Sequence, residues 1–115
     1  MSDTSQVSTL IAEIRRQIGD EHSPYRWDDD DMYDYFTAAA RVVVDRHPEA
    51  AYVSAITWSD PTAIASPTQY LQTAKAYDPA YIHYVAHRLL AEDKEDAANV
   101  AASKTHYDLF IAEMR

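Results

Sequence analysis

The chain has 115 residues with a formal net charge of −9, and it contains no cysteine and a single glycine, Gly19. The missing cysteines exclude disulfides, thiol catalysis and cysteine-bound zinc, and the scarcity of glycine excludes the glycine-rich loops that cradle phosphates. Hydrophobic residues make up 47%, too many for a disordered chain, while the acidic balance repels nucleic acid phosphates and argues against sequence-specific DNA or RNA binding.

The length fits one domain over residues 1–115, and alanine-rich composition favours helices. A first helix is predicted from about Ser5 to Ile18, because Val7, Leu10, Ile11, Ile14 and Ile18 form one apolar stripe. Glu13, Arg15, Arg16 and Gln17 fall on its other face, and Gly19 is placed to follow the helix with a positive φ. The N-terminal residues show no basic segment leading into an apolar core, so no signal peptide is expected. No apolar run approaches the roughly 18 residues that a membrane span needs.

The stretch "WDDDDMYDYF", residues 27–36, reads as a helix start. Asp28 stands at the N-cap, Asp29, Asp30 and Asp31 fill the first turn, and Trp27 with Met32 has the spacing of a hydrophobic staple. Four adjacent helical positions point in different directions and cannot converge on one metal ion. Met32, Phe36, Ala39, Ala40 and Val43 are the expected buried stripe, Pro48 ends the helix, and Tyr33 and Tyr35 lie off the stripe, available to a neighbouring chain.

Residues 49–77 form a variable central region. "AYVSAIT" suits a short strand, "SDPTAIASPT" a loop, and "TQYLQTAKAY" either a helical turn or another extended piece. Asp78-Pro79 then reads as an N-cap followed by proline at the first helical position, opening a helix whose stripe is Tyr81, Ile82, Val85, Ala86, Leu89 and Leu90. A last helix is predicted from about Asp96 to Arg115, with Val100, Ser103, Tyr107, Phe110, Ile111 and Met114 at helical spacing, antiparallel to its predecessor. The fold class is therefore all-α, a small bundle of about four helices with a central loop or short β-hairpin.

Little enzyme chemistry is legible. His83 and His87 have the i, i+4 spacing that lets two imidazoles share zinc, but "HYVAH" has no glutamate between them, and a third ligand would have to come from His106 or an aspartate. No nucleophile elbow occurs, and the carboxylates have no evident apolar cleft. No catalytic, cofactor or metal residue is assigned. Nine tyrosines and two tryptophans exceed what so small a core needs, and aromatic residues concentrate at protein interfaces.

Two segments carry a family resemblance: "YRWDDDDMYDYFTAAARVVVDRHPEA" after the leading helix, and the closing "YDPAYIHYVAHRLLAEDKEDAANVAASKTHYDLFIAEM". They resemble tailed-bacteriophage adaptor proteins, the head-to-tail connector or head-completion family. In that pattern an Arg-Trp-Ser/Asp-Asp segment opens a helix with an Arg-Pro-like end. After a variable region, an Ala-x-Asp segment leads through "AAN" into a long helix with Tyr-x-x-Phe. Asp93, Ala97, Ala98, Asn99, Tyr107 and Phe110 stand at the matching places, His47-Pro48 replaces the usual Arg-Pro, and the likeness weakens over 51–77.

The resemblance implies a structural virion protein. Its copies would form a ring, usually dodecameric, beneath the portal protein, extending the DNA channel and offering a platform to the tail or nozzle. DNA would pass without specific binding, which an acidic lumen suits. Portal contact is expected from Lys104, Tyr107, Phe110, Ile111, Met114 and Arg115, with Tyr107 and Phe110 equally eligible for the core. Inter-subunit or tail contact is expected from Tyr52, Trp58 and Tyr70. Two other classes compete: an acidic DNA-mimic or regulatory protein that binds a basic partner, and a metal-dependent enzyme built on His83 and His87.

Overall fold

A computed structural model of the chain describes residues 4–20, 26–53, 56–57, 63–92 and 96–114. The chain is mostly helical. Its four α-helices are α1 (Val7–Ile18), α2 (Asp29–Arg46), α3 (Asp78–Ala91) and α4 (Ala97–Glu113). Short 3-10 turns occupy Pro48–Ala51 and Lys75–Tyr77, and two-residue strands β1 (Tyr52–Val53) and β2 (Ile56–Thr57) pair antiparallel, Tyr52 opposite Thr57.

The central element is α3, which packs against each of the other three helices. It can do so because its apolar positions wrap more than one side: Ala80, Tyr81, Val85, Ala86, Leu89 and Leu90 are all buried. From α1 it receives Val7, Leu10, Ile11 and Ile14, and from α2 Met32, Phe36, Ala39, Ala40 and Val43, all members of one core. Both apolar stripes read from the sequence thus face the interior, with Ile18 and Ile82 packed at its edge. Trp27 and Met32, the staple pair, are buried together in that core.

The ends of α1 and α2 are joined by a buried ion-pair network. Arg15 is only 6% exposed, although its place in the sequence put it on the polar face of α1. Its Nη1 donates to Asp20 Oδ2 at 2.7 Å and its Nη2 to Asp29 Oδ1 at 2.6 Å. Asp20 also accepts the backbone N–H groups of Arg26 at 2.8 Å and Trp27 at 3.2 Å. The aspartate run therefore has a second purpose. Asp28 does occupy the N-cap of α2 but makes no side-chain bond there, whereas Asp29 serves as a counter-ion. Gly19 closes α1 in the left-handed region, at φ 75°, as its position implied.

The start of α1 is capped in an unforeseen way. No side chain caps it; instead the N–H groups of Val7 and Ser8 donate to the carbonyls of Gln69 and Pro67, each at 2.9 Å, and Leu71 N–H donates to Ser5 O at 2.9 Å. Free helix N–H groups need acceptors, and the central segment supplies them as extended backbone, with Gln6 bridging Tyr70. Three side chains anchor this segment inward: Ile64, Leu71 and Thr73 are buried. Thr73 Oγ1 donates to Tyr81 Oη at 2.8 Å, and the Ile64 N–H donates to Thr37 Oγ1 at 2.9 Å.

Two expectations fail here. Tyr33 is buried rather than open to a neighbour, whereas Tyr35 stays partly exposed, beneath Arg88 and with its hydroxyl donating to Glu92. Asp78 is the first residue of α3 rather than its cap, Tyr77 taking that place, and its carboxylate accepts the Ser5 hydroxyl.

Removing one member of a buried ion pair leaves the other charge uncompensated, at a cost of about 3–5 kcal/mol. Arg15→Ala and Asp20→Ala are each expected to lower unfolding free energy by about that much, and Asp29→Ala by less, since Asp29 is 43% exposed at its side chain. Gly19→Ala meets no neighbouring atom, so only backbone strain of about 1–2 kcal/mol is expected. Urea denaturation of the four variants checks both statements.

Candidate interaction surface

The outermost helix, α4, starts at Asp96, whose carboxylate accepts the N–H groups of Ala98 at 2.9 Å and Asn99 at 3.3 Å. It runs antiparallel to α3, because His83 meets His106 while His87 meets Ser103. This α3–α4 seam is far from a plain apolar contact. Edge-on aromatic contacts join Tyr84 to Phe110 at 5.1 Å and Tyr84 to His87 at 6.2 Å, and His87 lies 4.9 Å from the Tyr107 ring.

Only Ser103 and Phe110 of α4 are buried, together with Met114 at its C-cap. Apolar residues nevertheless continue around its circumference. Val100, Tyr107 and Leu109 are exposed, and Ala97, Ala98, Ala101 and Ala112 lie open as well. Lys104, Thr105, Asp108 and Glu113 are exposed among them, so the outer surface of α4 mixes apolar and charged groups. Val100, Tyr107 and Ile111 follow one another at intervals of seven and four along one side of α4. Beyond Ile111 a groove of about 370 Å³ opens between α2 and α4, with Val42 on its far wall, Phe110, Ile111 and Met114 on the near one, and Asp45 and Arg46 beside them.

The end of α4 is latched to the end of α2. The Met114 carbonyl accepts from Arg46 Nε at 3.2 Å and from His47 Nε2 at 3.0 Å, which satisfies an otherwise free helix-end acceptor. The other His47 ring nitrogen faces Glu49 at 3.1 Å, and Tyr77 Oη donates to the same carboxylate at 3.4 Å.

The residues expected at a portal contact divide accordingly. Lys104 and Tyr107 are exposed, with Lys104 bonded to Asp108 at 3.1 Å. Ile111 is half-buried, and Phe110 and Met114 are buried yet line the groove. Arg115 lies outside the described residues, as does Trp58. Tyr70 is 50% exposed, and Tyr52 is described by its backbone pairing alone. Among the tyrosines whose exposure is described, Tyr70 and Tyr107 are exposed, while Tyr33 and Tyr81 are buried and Tyr35, Tyr77 and Tyr84 half-buried. Sequence reasoning missed Val42, Asp45 and Arg46. The signal was available in "RVVVDR", where three consecutive valines on a helix cannot all face one core.

The three seam histidines differ in their bonding. Ser103 Oγ donates to the His87 carbonyl at 2.8 Å, so its oxygen accepts from His87 Nδ1–H at 3.0 Å. His83 and His106 face each other through Nδ1 at 3.0 Å, and one proton must serve both atoms. Burial pushes the pKa of all three rings down; the neighbouring histidines add to this for His106, Arg88 adds to it for His87, and Glu113 counteracts it for His83. Among the described residues no group of three or more His, Asp or Glu side chains is disposed to hold a metal ion, and no helix is long and apolar enough to cross a membrane. No family model, curated protein or solved structure matches the chain.

Imidazoles whose folded pKa lies below the unfolded value bind more protons on unfolding, so stability is lost as pH falls. The unfolded value is 6.5, so the loss sets in as pH falls through about that value and continues toward the lowered folded one. The lowered carboxyl groups of Glu13 and Glu49 titrate below that window, and the raised Asp78 carboxyl acts in the opposite sense. The melting temperature is expected to fall from pH 7.5 to pH 5, and to fall less in His106→Gln, where the paired ring is gone.

Proposed function

We propose that the chain is a structural head-to-tail adaptor of a tailed bacteriophage. In this reading its copies form a ring beneath the portal, extend the DNA channel and carry the tail or nozzle. The observation that carries the proposal is the exposure of Val100 and Tyr107 on the side of α4 that leads past half-buried Ile111 into the groove beside Val42. Large apolar side chains left exposed beside an open groove suit a subunit completed by neighbours.

Three further features support it. The matching residues of the family pattern, Ala97, Ala98 and Asn99, form the first turn of α4, and Tyr107 and Phe110 stand a helical turn apart on it. The charge of −9 suits a channel through which DNA must slide without adhering. The central segment, held to the start of α1 by backbone bonds and buried anchors, presents Tyr70 outward as the second contact. The finer form of the central region, a β-hairpin at Tyr52–Val53 and Ile56–Thr57 reaching a neighbouring subunit, belongs to the same proposal. So do the virion location, the dodecameric count and the absence of catalysis.

Light scattering and native mass spectrometry of the protein, alone and mixed with the portal protein of its own genome, test the assignment. A ring-sized complex that forms with the portal is the expected result. A protein that stays small beside the portal but binds a basic partner would replace it with the DNA-mimic reading. A tyrosine or large apolar anchor at an interface centre is worth about 2 kcal/mol or more, so Tyr107→Ala and Val42→Asp are each expected to weaken portal binding about 30-fold. Both positions are exposed, and circular dichroism of the variants is expected to match that of the parent chain.

A further inference from the structure

We infer that His83 and His106 form a binding site for one divalent transition-metal ion, of the zinc or copper type, that staples α4 to α3. The inference is independent of the adaptor reading and would stand in any assembly.

It starts from an uncommon contact. The Nδ1 atoms of the two rings lie 3.0 Å apart across the seam, with ring centroids 5.3 Å apart and planes tilted by 32°. Two imidazole nitrogens facing each other hold one hydrogen between two lone pairs, so one lone pair is always aimed at the other nitrogen. Zinc–imidazole bonds of about 2.0–2.1 Å at a tetrahedral angle require the two nitrogens to stand roughly 3.3–3.4 Å apart. The observed separation is therefore within a few tenths of an ångström of a chelating one, and a turn of each ring by about 35° would aim both lone pairs at a shared ion.

The proton balance is equally favourable. Burial holds both rings in the neutral form that binds metals. When the ion enters, the shared hydrogen leaves Nδ1 and the same ring takes a proton at Nε2, so each ligand remains a neutral imidazole. Both rings are half-buried, which leaves the ion a route in from solvent.

The i, i+4 pair suggested by the sequence is not the one that closes. His87 Nδ1 is committed to Ser103, and the partner of His83 comes from the other helix. With two protein ligands, the remaining positions belong to water or to a group from a second molecule. Imidazole ligands select zinc, copper or nickel over magnesium or calcium.

The test is titration of the chelator-treated protein with Zn²⁺ by calorimetry, beside Mg²⁺ as a control. One Zn²⁺ per chain, a raised melting temperature and no response to Mg²⁺ are expected. Loss of even an outer-shell partner weakens metal binding 10–100-fold, so His83→Asn and His106→Asn should each weaken it by at least about tenfold. His47→Asn, at the far latch, should leave it unchanged. Because the seam variants could loosen α4, a second measurement uses the unaltered protein: substoichiometric Cu²⁺ should broaden the NMR signals around residues 83 and 106 first. No zinc binding, binding that survives the double His83→Asn, His106→Asn variant, or Cu²⁺ broadening centred elsewhere would overturn the site.

Discussion

The buried guanidinium of Arg15 sets the geometry on which the rest depends. It is held between Asp20, just past the end of α1, and Asp29, the first residue of α2. Asp20 in turn accepts the backbone N–H groups of Arg26 and Trp27, and so delivers Trp27 into the core one residue before the α2 N-cap. A charge taken out of water is tolerated only with such full satisfaction. The two carboxylates and two backbone bonds fix where α1 stops, where α2 begins, and the angle between them. α3 packs against both α1 and α2, and it then offers the surface on which α4 lies.

That dependence separates what could be read from the sequence from what could not. Helix identities followed from local periodicity: Val7, Leu10, Ile11 and Ile14 in α1, or Met32, Phe36, Ala39, Ala40 and Val43 in α2, each repeat with the period of the helix and are all buried. Gly19 was legible for the same reason, since its task involves only the adjacent turn, whereas the capping carboxylate of Asp96 went unread. Arg15 was not, because its partners lie five and fourteen residues away and nothing in the pattern of α1 signals a buried cation. The central segment was obscure for a related cause. Ile64, Leu71 and Thr73 are isolated anchors on irregular backbone, and their partners Thr37 and Tyr81 belong to other helices. The interaction surface was half visible: its α4 residues were named, while Val42, Asp45 and Arg46 became part of it only through the meeting of α2 with α4.

The seam between α3 and α4 is unlike the other helix contacts. Elsewhere the core is mainly aliphatic and aromatic, apart from the Arg15 network and the Thr73–Tyr81 bond; here three histidines, Ser103, Tyr84 and Tyr107 lie beside Phe110. Contacts of this kind respond to proton and ligand concentration, whereas an aliphatic interface does not. The helix most exposed to the surroundings is thus also the one whose attachment is most open to chemical control.

The seam and the groove also share one equilibrium. The groove exists only while Phe110, Ile111 and Met114 are held opposite Val42, and that arrangement needs α4 docked on α3 with Met114 latched by Arg46 and His47. Any ligand that binds docked α4 but not freed α4 stabilises the docked form by its binding free energy. A partner seated in the groove and an ion held between His83 and His106 would therefore each strengthen the binding of the other, by reciprocal linkage, although they touch different parts of the helix. Protonation of the histidines works in the opposite direction on the same helix. The physical coupling needs no movement through the core: α4 is one rigid rod, and both events bear on whether it lies down.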